Sequence, residues 1–168
     1  MRSKRLLIVV TLLTPLVLPA RDGSAADKAE AKGDKVEPKV YNSYFVSNKA
    51  DLKGESSYLA FTDQAEFAKV LRPTPPNIGQ KREYMPKDVF DSKIVVAVIK
   101  RGSKTWQYKV EKVTADKGTL YVQYTTTNKD GGAATFSSPL IVMVDKGKLT
   151  SVVFLENGEK AGTVKIGK

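Results

Sequence analysis

The sequence predicts a mainly β fold: an antiparallel β-meander or sandwich-like sheet with one short amphipathic helix. Three observations predict it. From Lys93 to Lys100 the chain reads KIVVAVIK, a continuous apolar run closed by charge at both ends, as strands buried on both faces do. After it, Trp106, Tyr108 and Val110 alternate with Gln107, Lys109 and Glu111, and Leu120, Val122 and Tyr124 alternate again, the period of a strand with one buried face. Turn-forming residues then recur at short intervals: Asp116-Lys117-Gly118, Asn128 to Gly132, Lys146-Gly147-Lys148 and Asn157-Gly158. Asn-Gly is the strongest hairpin signal among them, because a type I′ turn needs positive φ at both central residues. Short turns between consecutive strands imply antiparallel neighbours.

Taken from its start, the chain opens with Arg2, Lys4 and Arg5, followed by the apolar stretch Leu6 to Leu18 and then by Ser24-Ala25-Ala26. A positive head, a short apolar segment broken by Pro15 and small residues at the −3 and −1 positions predict a secretory signal, residues 1–26, cleaved before Asp27. The stretch is shorter than the roughly 20 apolar residues a spanning helix needs. The mature chain is therefore expected to be soluble, exported (periplasmic or extracellular) and without a membrane span. Without cysteine it has no lipid anchor of the lipobox kind. Residues 27–39 (DKAEAKGDKVEPK) are charged and nearly devoid of large apolar side chains, the composition of a flexible spacer. Residues 40–168 are then one β-rich domain, with order expected from Val40.

Within that domain VYNSYFV and Tyr58 to Phe61 are short strand-like runs. The helix follows, capped by Thr62 or Asp63, with Asp63 and Glu66 at capping-box spacing. Phe67, Val70 and Leu71 form its apolar stripe, and Pro73 is expected to stop it before an irregular loop, RPTPPNIGQ. Met85 and Phe90 are read as plugs against the core. After Pro139, Leu140 to Val144, Leu149 to Glu156 and Ala161 to Ile166 complete the strands.

Composition removes whole classes of chemistry. The chain of 168 residues contains no histidine and no cysteine, which excludes Ser-His-Asp and Cys-His catalysis, histidine metal sites and disulfide staples. The net charge of +10 falls to +7 once Arg2, Lys4, Arg5, Arg21 and Asp22 leave with the signal. The remaining charges are interspersed, as on a solvated surface. Binding to anionic envelope polymers is one consequence such a charge permits; nucleic acid is not an expected partner of an exported chain. Asn128 and Asp130 offer oxygens to calcium, but too few for a recognised loop, and a plain turn is the simpler reading. No cofactor and no metal are expected. Carboxylate pairs and a Ser-Lys dyad survive as chemistries, yet adjacent Ser103 and Lys104 would point to opposite faces of a strand.

The order TDQAEFAKVL, VFDSKIVVAVIKRG, TLYVQYTT and SSPLIVMVDKGKLTSVVFLENG resembles the PrcB C-terminal domain family, over roughly Tyr58 to Lys165. That family carries Thr-Gly-Gly-Tyr after its first long strand; this chain has Thr105, Trp106, Gln107 and Tyr108 there, so the backbone freedom of the paired glycines is lost. The resemblance implies a non-catalytic accessory subunit of an exported protease complex, one that binds and stabilises another exported protein. The partner-binding candidates are Trp106, Tyr108 and Lys104. Trp106 is the single tryptophan, beside the Gly102-Ser103-Lys104 turn, and reads either as an exposed anchor or as a core residue of its strand. The closing strand offers an edge for pairing, although Lys160 and Lys165 guard it. An alternative function is a small exported protease inhibitor presenting Pro73 to Gly79 or Asn128 to Ala134.

Overall fold

The computed structural model describes residues 33–76 and 82–167; the expected signal, residues 1–26, and the spacer up to residue 32 lie outside them. The first elements are β1 (Asp34–Lys35), β2 (Lys39–Tyr41), β3 (Tyr44–Val46), β4 (Ser56–Phe61), α1 (Gln64–Val70), β5 (Leu71–Pro73) and α2 (Val89–Ser92). Six longer strands follow: β6 (Lys93–Gly102), β7 (Lys104–Asp116), β8 (Thr119–Asp130), β9 (Phe136–Asp145), β10 (Ser151–Glu156) and β11 (Glu159–Lys165). They form a five-stranded sheet, β1-β7-β8-β10-β11, a four-stranded sheet, β2-β9-β6-β4, and a small pair, β3-β5. The fold is mainly β, as expected, and sandwich-like. Among the described residues no helix is long and apolar enough to cross a membrane.

β6 organises the layers. Ile94, Val96 and Val98 point into the space between the two large sheets, where they meet Val113, Leu120, Val122, Tyr124, Val152 and Phe154. Val95, Ala97 and Ile99 point the other way, into a second core closed by Phe61, Phe67, Leu71, Val89 and Phe90. The doubly buried run read from the sequence is thus the middle of three layers. The third layer consists of α1, α2 and the β3-β5 pair.

Strand order departs from a sequential meander. β7-β8 and β10-β11 are antiparallel hairpins, closed at Lys117-Gly118 and Asn157-Gly158 with positive φ at all four residues. β9, however, crosses to the four-stranded sheet and pairs with β6 and β2. The chain then returns so that β10 lies parallel to β8. Packing a second sheet over the first core requires this crossing, and a turn signal alone does not say which sheet the next strand joins.

Several boundaries differ from expectation. Order begins before Val40: Asp34 and Lys35, inside the presumed spacer, pair with Ala115 and Thr114, and the Val36 N–H donates to the Val113 carbonyl at 2.9 Å. The helix is capped by Asp63, whose Oδ1 accepts from the Ala65 and Glu66 N–H groups at 2.8 and 2.9 Å. It ends at Val70 rather than at Pro73. Arg72 precedes a proline and so avoids helical backbone, and Leu71–Pro73 pair with β3 instead. Asn128–Asp130 continue β8 opposite Trp106–Lys104 rather than turning. A bulge between Val110 and Lys112 shifts the register of β7, which carries the buried side from Val110 to Val113 and ends the alternation read from the sequence.

β4 and β11 approach each other along one side of the sandwich. The Tyr58 ring lies over Gly162, where a Cβ would come within 2.5 Å of the ring, and it packs on Phe154 with centroids 5.2 Å apart. Gly162→Ala is therefore expected to push Tyr58 off Phe154 and to destabilise the domain by about 1–3 kcal/mol, read as a lowered denaturant midpoint at unchanged m-value; an unaltered midpoint would mean that the two edges are not held by this contact.

Candidate functional site

Two places bring unusual side chains together. The first is the end of the inter-sheet core, where β6 continues its inward parity past Val98 to Lys100 and β10 continues past Phe154 to Glu156. The two meet across the sandwich as an ion pair with side chains only 12% and 16% exposed. Glu156 is fully engaged: Lys100 and Thr126 Oγ1 reach Oε1, the latter at 2.9 Å, and Tyr124 Oη donates to Oε2 at 3.2 Å. The Trp106 ring covers Lys100, with Nζ 4.0 Å from its centroid, a cation–π contact strengthened by burial. Burial pushes the Tyr124 hydroxyl far above the ordinary tyrosine range, and the Glu156 carboxylate pushes it further. Burial raises Tyr58 and Tyr108 as well, and the Glu156 carboxylate adds to the rise in both, while a backbone hydrogen bond at Tyr108 works against it. These hydroxyls stay protonated as donors. With both carboxylate oxygens taken, the cluster ties the two sheets together and leaves no free base.

The sequence-derived candidates belong to this end. Trp106 and Tyr108 share the inward face of β7 and are half-buried. The Trp106 N–H donates to Ser138 Oγ at 3.1 Å and Tyr108 Oη to the Ser138 carbonyl at 2.7 Å, which fastens β7 to β9. Lys104 is exposed, opposite Asp130. Asp130 accepts from the Gly132 N–H at 3.0 Å, and among the described residues no group of three His, Cys, Asp or Glu side chains could hold a metal.

The second place is a groove of about 490 Å³ on the third layer, between α1 and the segment from β5 to Pro76. Its floor is Phe67 and Leu71, both buried, and its side walls are Tyr44, Met85 and the prolines Pro73, Pro75 and Pro76. Tyr44 stands edge-on to Phe67 at 5.3 Å and to Tyr84 at 6.1 Å. Hydrogen bonds fix both tyrosines: Tyr44 Oη accepts from the Met85 N–H at 2.9 Å, and Tyr84 Oη donates to the Thr74 carbonyl at 2.7 Å. Among the described residues the large apolar side chains that remain exposed are Val40 (47%), Phe45 (42%) and Tyr84 (37%), all on β2, β3 or the approach to α2. Scattered exposed apolar residues are ordinary; here none falls on the five-stranded sheet. Of the candidate inhibitory loop, Pro73 to Gly79, residues 77–79 lie outside the described part. The sequence pattern marks Phe67, Leu71 and Met85 as core and gives no sign that they also line a cleft.

No protein-family model, no curated protein and no solved structure matches this chain.

Breaking the inter-sheet pair on one side leaves the partner charge without its counterion. Glu156→Gln or Lys100→Met is expected to cost on the order of 3 kcal/mol of stability, while the double variant Lys100→Met/Glu156→Leu regains most of it. Chemical denaturation of the three variants checks this; additive losses in the double variant would show that the two charges do not depend on each other.

Proposed function

We propose that this chain is a non-catalytic binding module that docks on another exported protein through the aromatic groove of its third layer. The exposure of Tyr84 in the groove wall and of Phe45, the cross-strand partner of the lining residue Arg72, carries the reading. Rigid aromatic side chains next to a concave apolar floor are what protein-binding sites use as anchors. The absence of histidine and cysteine from the sequence and the full engagement of Glu156 favour binding over chemistry. The resemblance to the PrcB C-terminal domain family agrees with it and makes an exported protease one natural partner. Trp106 has a different part in this account: its ring is committed to Lys100, so it steadies the module from within while Lys104 stays free at the surface.

The test is capture from the native cell envelope by the tagged full chain, expressed with its own N-terminus. Ala68 is half-buried on the groove side of α1, so Ala68→Phe fills the cleft without touching either core. The expected result is a stoichiometric partner held by the unaltered chain, lost with Ala68→Phe and kept by a folded Trp106→Ala. A partner held equally by the Ala68→Phe chain, or lost only with Trp106→Ala, overturns the reading.

A further inference from the structure

We propose that the groove takes an extended peptide segment presenting one large apolar side chain beside a carboxylate, the carboxylate seated on Arg72. This deepens the docking reading above and rests on it for biological meaning, though not for its chemistry. The cavity, about 490 Å³, lies within the roughly 300–1,000 Å³ range of ligand pockets. Its floor of Phe67 and Leu71 and its walls of Tyr44 and Met85 offer no charge. Yet the rim is not neutral. Arg72 projects from β5 into the lining and is exposed, and it makes no ion pair or side-chain hydrogen bond among the described residues. Among the described residues no Asp or Glu lines the groove. Glu66, the acid within α1, is held by Lys69.

A lone guanidinium beside an apolar floor selects a partner with the opposite charge next to an apolar group. Its planar fork matches a carboxylate with two parallel hydrogen bonds, and the chain's surplus of positive charge favours the approach of an acidic segment. The walls also say how the segment is not bound. Pro73, Pro75 and Pro76 have no N–H to donate, and Tyr84 Oη already occupies the Thr74 carbonyl. A strand therefore cannot add to β5 at this point, and side chains rather than a backbone ladder do the recognising.

The test is a titration of the isotopically labelled full chain with three short capped peptides, followed by backbone amide shifts. One carries Phe next to Asp, the second replaces that Asp by Asn, and the third replaces the Phe by Ala. The Phe-Asp peptide is expected to give saturable shifts at Ala68, Leu71, Arg72 and Met85. The Asn peptide should bind about tenfold more weakly, the loss of one charge-assisted contact, and the Ala peptide should not saturate. In Arg72→Gln the difference between Asp and Asn peptides should vanish, and Ala68→Phe should abolish the shifts. Equal affinity for Asp and Asn peptides, shifts centred elsewhere, or no saturation by any peptide at millimolar concentration overturns the proposal. The outcomes separate it from the docking reading. A groove-dependent exported partner with no carboxylate preference in the peptides sinks this inference alone. Carboxylate-dependent peptide binding with no partner lost on Ala68→Phe sinks the docking reading alone.

Discussion

Every layer of the molecule rests on the burial of β6 on both faces. Ile94 to Ile99 are six consecutive residues at most 1% exposed, which for a strand requires an apolar surface on each face. A single sandwich would cover one face. The other demands a further layer, and α1, α2 and the β3-β5 pair supply it. At roughly 25 cal/mol per Å² of apolar surface removed from water, the branched side chains of this strand reward that construction twice, once on each face. The crossing of β9 into the same sheet and the return of β10 beside β8 follow from the need to flank β6 and still close the inter-sheet core.

The two clusters of unusual side chains sit at different kinds of boundary. Lys100 and Glu156 lie where inward parity runs out at the end of a core, and their mutual pairing under Trp106, with Tyr124 and Thr126 as donors, makes a charged end compatible with a closed sandwich. Such a pair contributes specificity of sheet-to-sheet alignment more than net stability. The groove has the opposite character. Its tyrosine hydroxyls are hydrogen-bonded, its floor is apolar, and its guanidinium has no ion pair among the described residues.

Much of this was legible in the residues. KIVVAVIK identified the central strand and its double burial, Asp63 identified the helix cap, and Asn157-Gly158 identified the last hairpin. Lys100 and Glu156 were also readable in principle: each has the parity of the buried residues two and four positions before it, and a charge on the inward parity asks for a partner. The bulge at Val110–Lys112 was not readable, because an inserted residue leaves no mark on composition. The helix ends ahead of Pro73 for a different reason. The effect of Pro73 reaches back to Arg72, and strand pairing with Val46 claimed Leu71 as well. The groove was hidden because Phe67 and Leu71 look alike whether they are covered on every side or form the floor of a cleft. Only the spacing of α1 from the proline segment decides that, and it is set by contacts distant in sequence.

The central claim is that a partner docks on the third layer and not on the Trp106 end of β7. Hydrogen exchange of the chain, free and within the complex captured from the envelope, tests it most directly. The account predicts slowed exchange in Tyr44–Val46, in Leu71–Thr74 and at Tyr84 and Met85, with Lys104–Tyr108 unchanged. Protection confined to Lys104–Tyr108 and the facing residues Thr126–Asp130, with the third layer unaffected, would contradict it.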